Sequence, residues 1–133
     1  MKKLLYFCLV LGALVGCSSS DDKQHQLELM ASNRAGALSA GLPVEYGPLK
    51  ILRVSSNKNV IEMMMIYNDS ALGAKPLKQV LNTSIYTYCS TPAVREQIDM
   101  GLMYRIKVRN SRGQLMADEL VSSQTCSAGK KTQ

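Results

Sequence analysis

The chain has 133 residues, of which 46% are hydrophobic, with 16 Lys and Arg against 10 Asp and Glu, one His, four Cys and no Trp. That length holds one compact domain with a short extension and leaves no room for a second domain. A formal charge of +6, two units of it from Lys2 and Lys3, is too mild and too dispersed for a nucleic-acid stripe, and one histidine argues against zinc or histidine-dependent catalysis.

Residues 1–16 read as an export signal. Lys2 and Lys3 precede an apolar stretch from Leu4 to Val15, shorter than the roughly 20 residues of a membrane-spanning helix. The run Leu14-Val15-Gly16-Cys17 has the form of a bacterial lipobox, which places a lipid on Cys17 and starts the mature chain there. Buried acyl methylenes contribute about 0.8 kcal/mol each, so a multi-chain anchor holds the protein at a membrane. Ser18 follows the cysteine where an Asp would mark retention at the inner membrane, which points to the outer membrane, facing the periplasm. The remaining 117 residues carry 14 basic and 10 acidic side chains, a net +4.

Residues 17–26 form the lipid-bearing linker. Ser18 to Gln26, SSSDDKQHQ, has no apolar side chain, which predicts a flexible leash with His25 solvated inside it. A single domain then spans residues 27–133. Leu27, Met30, Ala31, Ala35 and Leu38 fall three and four residues apart and predict a helix that Gly41 and Pro43 end. Leu49–Ser55 and Val60–Tyr67 are apolar runs of strand length, split by the turn-favouring Ser56-Asn57-Lys58-Asn59, and predict a hairpin. Val60, Ile61, Met63, Met64, Met65 and Ile66 leave the second strand almost no polar face. That strand should be covered on both sides or lend one side to a partner.

Pro76 suits a first helical turn, and Leu77, Val80, Leu81, Ile85 and Tyr88 repeat at helical spacing up to Cys89. Thr91-Pro92 predicts the start of a third helix with Val94, Ile98 and Leu102 on its apolar edge and Gly101 near its end. Tyr104, Ile106 and Val108 alternate with Arg105, Lys107 and Arg109, a strand with one core face and one basic face. Asn110 to Gly113 turns the chain, Gln114 to Val121 returns as its partner, and the tail from Ser127 looks frayed. The order predicts an α+β fold of two layers: a mainly antiparallel sheet of four to five strands with helices packed against it.

Cys8 falls in the signal and Cys17 at the lipobox, which leaves Cys89 and Cys126. In an oxidising periplasm they pair into one structural disulfide; the absence of a C-x-x-C spacing weighs against a redox pair. No nucleophile and base, metal cluster or glycine-rich phosphate loop is legible, so the chain reads as non-enzymatic, with no cofactor and no metal. Asp21-Asp22 and Asp118-Glu119 are adjacent pairs, and adjacent strand residues point to opposite faces. Two binding candidates remain. Met63 and Met65, within the methionine run, offer flexible thioethers for an apolar groove, with core filling as the plainer reading. Arg105, Lys107 and Arg109 offer a basic face to an acidic partner or to lipid head groups, with a solvated sheet face as the plainer reading.

The segment YCSTPAVREQIDMGLMYRIKVRNSRGQLMADELVSSQTCS, from Tyr88 to Ser127, resembles the type II secretion pilotins of the AspS (GspS-beta) family. The shared pattern is a cysteine, a short gap, a proline, a short helix, a Tyr-containing strand, a polar turn, a strand and Thr-Cys. It extends more weakly upstream through ALSAGLPVEYG. The resemblance implies a non-enzymatic outer-membrane lipoprotein that binds the C-terminal S-domain of the secretin, a helical segment, in a cleft. The lipoprotein sorting machinery would carry it, with Cys17 as lipidated anchor and Cys89 and Cys126 as the disulfide. It also implies about five strands, the fifth lying near Val44 to Tyr46 or beside Thr125. A reading from another class is a periplasm-facing lipoprotein inhibitor of a lysozyme or protease, acting through a protruding Asn110–Gly113 turn. A third is a purely structural envelope lipoprotein.

Overall fold

A computed structural model describes residues 18–129; residues 1–17, on which the expected export signal and lipidated Cys17 fall, and the last four residues lie outside them. The chain runs α1 (Ser18–Ser39), β1 (Val44–Tyr46), β2 (Leu49–Asn57), β3 (Val60–Tyr67), α2 (Leu77–Ser90), α3 (Pro92–Met100), β4 (Met103–Arg109), β5 (Leu115–Val121) and α4 (Ser123–Ala128). The five strands lie side by side in chain order in one sheet. Neighbours are antiparallel except β3 and β4, which run parallel because α2 and α3 carry the chain back over the sheet between them. This is the α+β architecture read above, and β1 supplies the fifth strand at Val44–Tyr46.

The core lies on one side of the sheet. Ile61, Met63, Met65 and Tyr67 of β3 and Tyr104, Ile106 and Val108 of β4 point into it, joined by Leu27, Ala31 and Ala35 of α1 and by Ile98, Leu102 and Cys126. Ala31 and Ala35 are fully or almost fully buried; their small side chains let α1 lie close across β2 and β3. Tyr88 of α2 stacks at 4.8 Å on Tyr104, and its hydroxyl donates to Met63 Sδ at 2.8 Å. Burial, more than its neighbour Tyr104, pushes the Tyr88 phenol up to about 12, so it stays a neutral donor.

Two expectations need correction. The segment read as a flexible leash from Ser18 to Gln26 is the first part of α1, which begins nine residues before Leu27. Once Leu27, Ala31 and Ala35 are packed, adding turns costs far less than nucleating a helix; Asp21 suits the N-terminal dipole, and Gln24 donates to Glu28 at 3.0 Å. His25 is therefore an exposed helix residue. At the other end, Ser127 and Ala128 belong to α4, whose start is fixed by a capping box between Ser122 and Thr125.

Thr91 and Pro92 do open α3, yet the Thr91 hydroxyl donates back to the Thr87 carbonyl at 2.7 Å instead of capping α3. Gly101 ends α3 with φ at 121°, a backbone conformation that favours glycine, and a Cβ there would press on Leu27 Cδ1 at 3.0 Å. Cys89, at the end of α2, is bonded to Cys126 of α4, as the cysteine count requires.

Candidate functional site

Every described helix joins the same core, so the other face of the sheet carries no helix among the described residues. Strand register arranges this open face in rows. One row is Arg53–Met64–Lys107–Asp118, the next is Lys50–Ile66–Arg109, and on the other side lie Ser55–Glu62–Arg105–Leu120 and Asn57–Val60–Met103. Along β3 the outward side chains are thus Val60, Glu62, Met64 and Ile66, all half-buried though no described helix lies over them. This is the strand predicted to lend one side to a partner.

The basic residues of β4 line one flank of this spine, and their charges are unequally occupied. Arg105 Nε and Nη2 donate to the two Asp118 oxygens, each at 2.7 Å. That hydrogen-bonded fork holds the Asp118 carboxyl below the usual carboxylate range. Among the described residues Glu62, at 3.9 Å, is the one carboxylate within 4.0 Å of Lys107, which also acts through space on its register partner Asp118, and Glu62 is shared with Arg105 at 4.0 Å. Arg109 donates to the Gly113 carbonyl at 2.9 Å. On the opposite flank Lys50 pairs with Glu45 at 3.0 Å, while Arg53 has no carboxylate within 4.0 Å among the described residues. These exposed pairs contribute little to stability, because water screens them.

The open face is not flat. A depression of about 410 Å³ lies at Asn57, Val60, Glu62, Arg105, Asp118 and Leu120. Another, of about 350 Å³, lies at the far end beside Lys50, Ile66 and Leu72, and a small recess at Arg53, Met64 and Lys107 sits between them. Together they trace a trough along β3. Leu72, fully exposed in the loop after β3, stands at its end.

The predicted binding residues are divided by the fold. Arg105, Lys107 and Arg109 all reach the open face. Met63 and Met65 do not: at 5% and 6% exposure they fill the core beneath α1 and α2, so the plainer reading of core filling replaces that of a groove. Their neighbour Met64 is the methionine on the open face. Arg53 and Ile66 were missed. Ile66 was signalled by the nearly all-apolar β3, whereas Arg53 was hidden by a bulge in β2 between Ile51 and Arg53. Leu49 and Ile51 face the core, and unbroken alternation would send Arg53 there too; the extra residue, Leu52, turns it outward.

Nothing in this arrangement pairs a nucleophile with a base, and the described residues hold no group of three or more His, Cys, Asp or Glu placed to bind a metal. The family model for the type II secretion system pilotin, S protein, matches residues 23–126. The chain belongs to this pilotin family. Pilotins are accessory proteins of secretion, not enzymes.

Solved pilotin structures agree with that membership. The pilotin EpsS of the Vibrio vulnificus type 2 secretion system is 64% identical, with a TM-score of 0.75 over 80% of this chain and 96% of that one. The Vibrio cholerae type II secretion pilotin AspS is 48% identical, with a TM-score of 0.74 over 80% and 98%. A protein of Pseudomonas aeruginosa shares the fold at 17% identity, with a TM-score of 0.67 over 84% and 99%. A search of curated proteins finds no match.

Proposed function

We propose that this pilotin binds the C-terminal S-domain of a type II secretion secretin and brings it to the outer membrane for assembly. The observation that carries the reading is the family match across residues 23–126, which spans α1 to α4. In this account residues 1–16 direct export and are removed, Cys17 carries the lipid, and Ser18 lets the lipoprotein sorting machinery pass the chain to the outer membrane, facing the periplasm. The anchor supplies the address and the domain supplies the grip. Because α1 starts at Ser18, the domain hangs from the lipid on a helix rather than on a loose leash. The helix-free sheet face is the surface that receives the secretin, a reading supported by its combination of half-buried apolar side chains and loosely paired charge. Delivery requires only that binding outlast transit, with no bond made or broken.

Changing Cys17 to Ala tests the delivery step. The variant should fold with an unchanged melting temperature, because the described core begins at Leu27, and membrane fractionation should find the secretin at the inner membrane. Secretin still reaching the outer membrane in that variant would contradict the role.

A further inference from the structure

The helices on the core side of the sheet are held unequally. Through Ala31 and Ala35, α1 lies close across β2 and β3, whereas α2 has no buried residue, although Leu77, Val80, Leu81 and Ile85 give it an apolar stripe. The two helices scarcely touch each other; α2 leans instead on α3 and on α4, to which the Cys89–Cys126 bond ties its end. An amphipathic helix ordinarily buries its stripe, and here the gap beside α1 leaves that stripe half-covered, on the opposite side of the sheet from the helix-free face.

Polar groups along this groove are satisfied from within. The Ser84 hydroxyl donates to the Val80 carbonyl at 2.9 Å, Tyr88 donates to Met63 Sδ, and α2 carries no charged residue from Gln79 to Ser90. Arg34 is the exception. It stands on α1 between Met30 and Leu38 at four-residue spacing, the one charged side chain from Leu29 to Ser39. Its Nε is buried without a hydrogen-bond partner, and among the described residues no carboxylate lies within 4.0 Å of its guanidinium. Its charge acts on the Tyr88 hydroxyl, which sets it beside the last turn of α2. A buried guanidinium nitrogen without an acceptor carries a desolvation cost that an incoming anion removes. From Leu77 to Tyr88 the helix rises about 16 Å, so the groove offers a long aliphatic wall with a cation at one end, while Lys75 and Lys78 at the other are exposed to water.

We infer that the groove between α1 and α2 takes a long-chain fatty acid, its tail along Leu77, Val80, Leu81 and Ile85 and its carboxylate on Arg34. An acyl chain brings no polar group to be satisfied by these walls, whereas a peptide laid there would bring backbone donors and acceptors for which they hold no partner. The carboxylate supplies the acceptor that Arg34 lacks, in the two-pronged geometry a guanidinium favours.

The test uses the exported Cys17→Ala chain, which keeps the whole domain and needs no detergent that would compete for the groove. Laurate below its micelle concentration should bind one to one, and dodecanol, the same tail without the charge, roughly tenfold more weakly. Methyl resonances of Val80, Leu81 and Ile85 should shift, while those of Met64 and Ile66 stay in place. Arg34→Met should lose roughly tenfold for laurate and nothing for dodecanol, with a melting temperature unchanged or raised because the unpaired nitrogen is gone. A merely structural Arg34 would instead lower it. The comparison of laurate with dodecanol needs no change at residue 34 and decides the matter should that variant fail to fold. Equal binding of the two amphiphiles, laurate shifts confined to the helix-free face, or acetate binding as tightly as laurate would each overturn the inference. So would a peptide, or a second copy of the chain, that binds through Arg34 while laurate does not. Failure of laurate to bind while a secretin segment still does overturns this inference alone and leaves the pilotin role intact.

Discussion

Replacing Cys89 by Ser should lower the melting temperature by on the order of 15 °C. The bond closes a loop with a sequence separation of 37 residues that contains α3, β4 and β5, so reduction frees the denatured chain over a large part of the domain. In the chain-entropy model a loop of this length corresponds to about 4 kcal/mol, set against a total stability of about 5–15 kcal/mol for a domain of this size. The native state also loses a specific tie. Cys126 is the buried residue of α4, a helix of six residues too short to hold itself, and the bond fastens it to the end of α2. Thermal unfolding followed by circular dichroism, with and without reductant, reads the effect. An unchanged melting temperature, or two free thiols in the unaltered protein, would contradict the pairing.

Ile61→Ala should cost about 2–5 kcal/mol, whereas Met64→Ala, three positions along the same strand, should cost less than about 1 kcal/mol. Ile61 is 0% exposed and sits beside Tyr104 in the centre of the core, where truncation leaves a cavity that neighbouring side chains fill only in part. Met64 faces the helix-free side, where its truncation opens no cavity because water already reaches it. Denaturant midpoints of the two variants, compared at equal slope, separate the faces. Similar losses would mean that both sides of β3 are covered, and the open face would not exist.

Much of this contrast was legible in the sequence. The alternation of Tyr104, Ile106 and Val108 with Arg105, Lys107 and Arg109 assigned both faces of β4 correctly, because a central strand with one wet face must alternate. The helices α2 and α3 and the two cysteines also stood out, since each has a local signal in spacing, proline or count. Three things were not legible. The polar start of α1 has no periodicity of its own and is helical only because the packed turns after it extend backward. Which methionines of β3 face the core is marked by Glu62 alone, which shares its face with Met64, too thin a signal among the apolar residues around it to set the faces. Arg53 reaches the site through a bulge, and a one-residue insertion leaves no signature in the amino acids around it. The candidate site was thus half visible: the charges on β4 could be named, while the strand beside it and the trough between them needed the sheet order.

The central claim is that this small domain grips the end of a secretin. Titrating the mature chain with the C-terminal segment of its cognate secretin, followed by calorimetry, tests it most directly. The account predicts saturable one-to-one binding in the micromolar range or tighter, about −8 kcal/mol or better, with the segment becoming more helical as it binds. No heat and no change in helicity with that segment, together with tight binding to a lysozyme or protease, would contradict it and make the Asn110–Gly113 turn of an inhibitor the better reading.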